Sequence, residues 1–325
     1  MKGTLLIIAL LLLAVLLGLT VGQVMIGPAA LWDGLWHGSG PGALFLRVLR
    51  GPGVGTALGA GAVLGMSGAI FQILLRNPLA SPDVMGFTSG AGLAAIWGVS
   101  AGIALPIPLF SAIGGLAAAG AVIFLASGRS GTHAALTLIL VGLGVGFFAA
   151  AASSFIMTRL PHQEATEAQR WLTGSLAARN WGHVLQVFGL GAALTLALAL
   201  QTRSLALLEL GDDLAAGLGT RISLSRGLLA VTGVLLAATG VAVAGPLPFI
   251  ALMAAPLGAR LTGARHPAGK LASAAAAGAI ITVLADLASR AAIPGLQLPV
   301  GVMTGILGAP YLIWLLLREM ETGDL

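Results

Sequence analysis

The chain has no cysteine among its 325 residues, so disulfides and thiol chemistry are excluded and the redox compartment stays open. Charge is scarce too. Asp, Glu, Lys and Arg make up 8% of residues, against about 25% in a soluble domain. A surface so poor in charge was not selected to face water. The formal net charge of +5 is scattered, with no basic run, which argues against nucleic acid as a partner. A phosphate-binding loop is missing as well. The nearest approach is Gly263-Ala264-Arg265-His266-Pro267-Ala268-Gly269-Lys270-Leu271. It has one residue too many between its glycines, a proline inside, and no Ser or Thr to hold magnesium. It reads as a short turn, so the chain does not hydrolyse ATP by itself and is not expected to be an enzyme. Proton- or sodium-coupled carriers need ionisable groups inside the membrane, and the one acid within the apolar runs is Asp286. Arg290 follows it at the spacing of an intrahelical ion pair. No acid and histidine cage for a metal is visible, and no cofactor is implied.

What is present is apolar. Hydrophobic residues make up 58% of the chain and the mean hydropathy is +1.01. Spans of roughly 20 residues leave room for about ten crossings. The expected fold is all-α: a polytopic membrane protein forming one transmembrane domain over 1–325. Its spans are expected near 4–25, 53–75, 86–105, 107–127, 134–158, 183–202, 227–244, 247–262, 271–290 and 300–317. The first apolar run is longer than the core of a secretory signal, so it reads as the first span. The weakest pair is 227–262, where Gly245-Pro246-Leu247-Pro248 breaks one stretch into two. Such breaks often sit where backbone lines a cavity. An even number of crossings puts both termini on one side. The excess of Lys and Arg in loops places that side in the cytoplasm, with Lys2, Arg76, Arg129, Arg203, Arg221, Arg226, Arg260, Arg265, Lys270 and Arg318 inside. Arg47, Arg50, Arg159, Arg170, Arg179 and Arg290 are left outside.

Three local patterns stand out. Gly51, Gly55 and Gly59, then Gly61 and Gly65, recur at four-residue spacing, so span 53–75 is expected to be buried among other helices. Segment 203–226 is the long inner connection and holds Leu210-Gly211-Asp212-Asp213-Leu214-Ala215-Ala216-Gly217-Leu218-Gly219. There Asp212 suits an N-cap, Asp213 the first turn and Gly219 a left-handed stop, which predicts a short surface helix. It is either a plain connection or a docking point. On the opposite face, Arg47 and Arg50 stand three apart, hence on one side of the helix leading into span 53–75. Cations are disfavoured at a helix N-terminus and on the outer side. Either an outward acidic partner or snorkelling to headgroups would compensate.

Residues 76 to 92, Arg-Asn-Pro-Leu-Ala-Ser-Pro-Asp-Val-Met-Gly-Phe-Thr-Ser-Gly-Ala-Gly, follow the Gly-laden stretch from Gly51 to Gly68. This run resembles the signature of the FecCD family, the permease subunits of ATP-driven importers for iron–siderophores, haem and cobalamin. Residues 210–219 are similar to that family's ATPase-coupling segment. Ala244-Gly245-Pro246 through Phe249, Asp286 through Arg290, Leu298 through Thr304 and Gly308-Ala309-Pro310 resemble further family segments. The resemblance implies a dimer of permease subunits, homo or hetero, in the inner membrane of a prokaryote. It implies cytoplasmic ATP-binding subunits and an external substrate-binding protein as partners. It assigns Gly211, Asp212, Ala215, Leu218 and Gly219 to ATPase coupling, Asn77 and Leu79 to the cytoplasmic gate, and Arg47, Arg50 and Arg290 to docking of the binding protein. Trp171-Leu172-Thr173-Gly174-Ser175 resembles a segment of siderophore permeases, so ferric siderophore leads over haem and cobalamin. The chain departs from the family at Leu257, often histidine there, and at Arg76, an acid in some members. A self-contained channel or secondary carrier is the alternative of a different class, and a structural scaffold is a third.

Overall fold

The computed structural model describes residues 2–103, 107–126, 134–293 and 295–322. In chain order the helices are α1 (Lys2–Thr20), α2 (Pro28–His37), α3 (Gly40–Leu44), α4 (Gly51–Leu75), α5 (Phe87–Ser100), α6 (Ile107–Ala126) and α7 (Ala134–Met157). They continue with α8 (His162–Leu172), α9 (Trp181–Glu209), α10 (Asp212–Gly217), α11 (Ile222–Ala244), α12 (Ile250–Thr262), α13 (Pro267–Ala291) and α14 (Val300–Thr322). A π-turn at Phe45–Leu49 leads into α4, and a 3₁₀ turn at Pro82–Met85 leads into α5. The protein is all-α, with no strand among the described residues.

Each expected span coincides with a helix, but the helices differ in length. Among the described residues, eight apolar segments are long enough to cross a bilayer. Those at the expected spans 86–105 and 247–262 are shorter, 14 residues in α5 and 13 in α12. Residues 104–106 and 127–133, with Arg129, lie outside the described residues. The inner connection 203–226 shrinks to 210–221, because α9 runs on through Arg203 to Glu209 and α11 begins at Ile222. Arg, Gln, Leu and Glu are good helix formers, so helicity outlasts apolarity. The loops before α4 and before α9 also contain helices that apolarity alone did not disclose. In α8 the signal was present: Glu164 in the first turn and Arg170 in the last suit the helix dipole.

The core is organised around α4, most of whose 25 residues are buried. Its glycines are divided among three neighbours. Gly55 and Gly59 face Val184 and Val187 of α9, Gly61 and Gly65 face the Gly278 and Ala274 carbonyls of α13, and Gly68 faces Ala251 of α12. At Gly61 and Gly278 the two backbones touch so closely that a Cβ on either would overlap the other's carbonyl. Lipid gives apolar side chains no reason to leave it, so close packing of this kind is what holds membrane helices together. The expected burial of this span is thereby explained.

Both described termini lie at one end of the bundle, here called the base. Gly3 packs on Leu261 and Thr262 at the end of α12, and the Arg260 guanidinium lies 4.5 Å from the Trp314 ring of α14. The end of α4, the 76–86 turn, α10 and the 263–266 turn share the base. The opposite end, the crown, gathers the end of α1, the start of α4 and the end of α13.

Candidate functional sites at the two ends of the bundle

At the crown, α1 ends at Thr20 and leaves its last carbonyls without helical partners. Arg50 supplies them. Its Nη1 donates to the Leu19 and Thr20 carbonyls, each at 2.8 Å, and its Nη2 donates to the Val24 carbonyl. Arg290 adds a bond from Nη2 to the Gly18 carbonyl at 3.2 Å and pairs with Asp286 Oδ2 at 2.7 Å. The anticipated Asp286–Arg290 pair therefore forms, with the Asp286 side chain only 5% exposed. Two arginines from distant segments grip one helix end.

This geometry corrects the placing of Arg47 and Arg50 on one side of a helix. The π-turn underwinds the backbone, and the chain bends at Arg50, with φ −120°, before α4 starts. Arg47 is consequently exposed, while Arg50 is buried, 6% accessible. The negative end that Arg50 required is the C-terminus of α1, inside the chain. An external acid would reach Arg47 directly, whereas Arg50 and the Nη2 of Arg290 are already engaged by α1 carbonyls. Beside them lies a cleft of about 420 Å³ lined by Gln23, Arg50, Arg179, Arg290 and Gln297. Arg179 is anchored on the Ser175 carbonyl at 2.8 Å, and burial lowers its guanidinium pKa.

Three segments singled out in the sequence also meet at the crown. The Ser175 N–H donates to the Ala244 carbonyl at 2.8 Å, and the Gly301 N–H to the Gly174 carbonyl at 3.4 Å. A Cβ at Gly174 would overlap the Pro246 carbonyl, and one at Gly301 the Thr173 carbonyl. The Gly245-Pro246 break is thus buried against protein rather than lining a cavity, the other way non-helical backbone survives at membrane depth. Segment 171–175 serves this backbone knot.

At the base, α4 stops at Arg76, whose φ of 49° is left-handed and turns the chain. The Asn77 side chain then accepts the Leu79 N–H at 2.8 Å, and the Asn77 carbonyl accepts the Ala80 N–H at 3.1 Å. Flanked by Pro78 and Pro82, this makes a stiff turn that presents half-buried Leu79. Asn77 builds the turn; Leu79 is what the turn displays.

Across from it stands α10. Gly219 is its left-handed stop, with φ 83°, and the Thr220 N–H to Ala215 carbonyl bond at 2.9 Å completes the C-terminal capping pattern. The expected N-cap needs correction. The cap is Gly211, with φ 117°, and Asp212 is the first helical residue. Asp212 instead accepts from Arg76 Nη2 at 2.7 Å and Arg226 Nη2 at 2.8 Å, both on Oδ1. The two guanidiniums offer it more than the helix N–H groups do. Neither arginine was expected at this site, because nothing in sequence spacing connects 76, 212 and 226. Nearby Lys270 pairs with Glu209. Ala215 is buried, whereas Leu210, Leu214 and Leu218 are 60%, 59% and 59% exposed.

The model of the FecCD transport family matches residues 10–318. Among curated proteins the chain is 36% identical to the achromobactin transport system permease protein CbrC of Dickeya dadantii, covering 95% of this chain and 90% of that protein. It is 37% identical to the ferric enterobactin transport system permease protein FepG of Escherichia coli, covering 93% and 91%. It is 35% identical to the vitamin B12 import system permease protein BtuC of Yersinia enterocolitica, covering 96% and 91%. A solved inward-facing structure of a candidate metal-chelate type ABC transporter matches with a TM-score of 0.83 and 25% identity, covering 98% of this chain and 99% of that one.

Proposed function

This chain belongs to the FecCD transport family, permease subunits of ABC importers, and from there we propose that it conducts a ferric siderophore across the inner membrane of a prokaryote. Substrate arrives on an external binding protein at the crown, and two cytoplasmic ATPase subunits press on the base of a permease dimer. The termini are then cytoplasmic, with ten crossings of which α5 and α12 are short. The observation that carries this reading is α10. Three exposed leucines on and beside a capped helix outside the long apolar helices form a surface that lipid does not cover, and a protein partner would. The missing phosphate loop requires such a partner for energy. On this reading Gly211, Asp212, Ala215, Leu218 and Gly219 shape the ATPase contact, and Leu79, set by Asn77, forms the inner constriction. Arg47 is the first contact for an acidic binding protein, with Arg50 and Arg290 behind it.

Siderophore leads because segment 171–175 resembles a segment of siderophore permeases, and because CbrC and FepG are named for achromobactin and ferric enterobactin transport. Cobalamin is the second reading, favoured by the comparable identity to BtuC. The test is uptake into proteoliposomes holding the permease with its ATPase, across a panel of ferric siderophores, haem and cobalamin. ATP-dependent uptake of a ferric chelate is expected. Uptake without nucleotide would establish a self-contained carrier instead.

A further inference from the structure

We propose that Arg76 is a latch across the Gly211 hinge, passing displacement of α10 directly into the 76–86 turn. The inference rests on α10 being the ATPase contact and adds how its movement is conveyed.

Gly211 separates α9 from α10 and adopts φ 117°, a backbone region that side chains avoid. The chain is free to bend there, so the backbone alone would not pass movement of α10 into α9. The Arg76 guanidinium closes that freedom. It lies directly against Gly211, with both Nη atoms 3.9 Å from where a Cβ would stand. On one side of the hinge it donates to the Leu208 carbonyl of α9 at 3.3 Å, and on the other to Asp212 Oδ1 of α10 at 2.7 Å. Arg226 at the start of α11 holds the same oxygen at 2.8 Å. The backbone of Arg76 is the left-handed corner that ends α4, and the next residue is Asn77, whose side chain folds the turn carrying Leu79. From Asp212 to Leu79 the path is one ion pair, one peptide bond and one side-chain-capped turn. No other described ion pair joins α10 to α4.

The ion pairs on Asp212 are about half exposed, and in water such pairs contribute little to folding. That suits a transmitting part better than a structural one. A partner covering α10 removes water from the pair, and the attraction rises as the effective dielectric falls. The latch is therefore slack in the free permease and tightens when the ATPase sits on α10.

The test uses the complete transporter in proteoliposomes, reading substrate transported per ATP hydrolysed, with ATPase retention on the purified permease measured on the same samples. Arg76→Gln and Asp212→Asn should each lower the ratio about 5-fold or more, the size of an ordinary allosteric coupling. ATPase retention should stay as in wild type for Arg76→Gln. The double variant should be no worse than the poorer single one, because both break the same link. Arg76→Lys, which keeps charge but not the forked reach, should recover part of the ratio. A wild-type ratio in Arg76→Gln, or losses that multiply in the double variant, overturns the latch and leaves the proposed function standing. Uptake by wild type that needs no ATP overturns both.

Discussion

Crown and base are both held by arginines, yet they are built on opposite principles. At the crown, Arg50 is buried and Arg290 half-buried, and both spend their donors chiefly on backbone carbonyls, with Asp286 enclosed beside them. At the base, Arg76, Arg226 and Lys270 pair with Asp212 and Glu209 in partly solvated places, side chain to side chain across separate elements. A buried charge that loses its partner is expensive, whereas a solvated one loses little. The crown is fastened; the base is adjustable. On the proposed function the base is the powered end, and an adjustable end can receive a signal without the fold coming apart.

The contrast is broken most severely at Asp286. Asp286→Ala strands Arg290 in the crown and should cost about 3–5 kcal/mol, while Asp286→Ala with Arg290→Met should recover most of the loss. Thermal unfolding of the purified protein checks this, and a double variant as unstable as the single one would show that the crown is not fastened by the pair. Next comes the contact through which α4 and α13 touch. Gly278→Ala should cost about 1–3 kcal/mol by forcing the two backbones apart, where Gly189→Ala, facing open space on α9, should cost nothing measurable.

Arg50→Gln should cost about 2 kcal/mol by leaving α1 carbonyls unpaired, and Arg47→Glu should leave stability unchanged. The roles reverse for association with the binding protein. Arg47→Glu should slow it in a salt-dependent manner, as rim charges do. If Arg50→Gln slows docking while unfolding is unaltered, then the crown arginine faces the partner and not α1. A small stability effect is expected at the base: Asp212→Asn should shift unfolding by less than about 1 kcal/mol while impairing transport per ATP. At the proposed gate of the proposed dimer, Leu79→Cys should crosslink between subunits more readily than Asn77→Cys, which also loses the bond that folds the turn.

Much of this was legible in the residues themselves. Apolar runs fix where helices lie, the spacing of Gly51 through Gly65 marks a helix surrounded by others, and Gly219 announces the end of α10. Asp286 and Arg290 are four apart on one helix, so their pairing needs no tertiary information. The stiff turn after α4 was legible too, since Pro78 and Pro82 restrict the chain around Asn77 wherever it sits.

What escaped the sequence depends on which segments become neighbours. Arg47 and Arg50 looked alike until a π-turn rotated one outward and the end of α1 drew the other in. Asp212 looked like a helix cap until Arg76 and Arg226 arrived from 136 and 14 residues away. The three segments at 171–175, 244–249 and 298–301 gave no sign that they share one backbone knot. By itself the sequence determined the solvent the chain belongs in, the helices it forms and the family it joins, because apolarity, propensity and turn chemistry act over a few residues. Only the tertiary structure decided which charges are spent inside and which are left for partners, because the field at a guanidinium is set by carbonyls and carboxylates that lie close in space however far apart they stand in the chain.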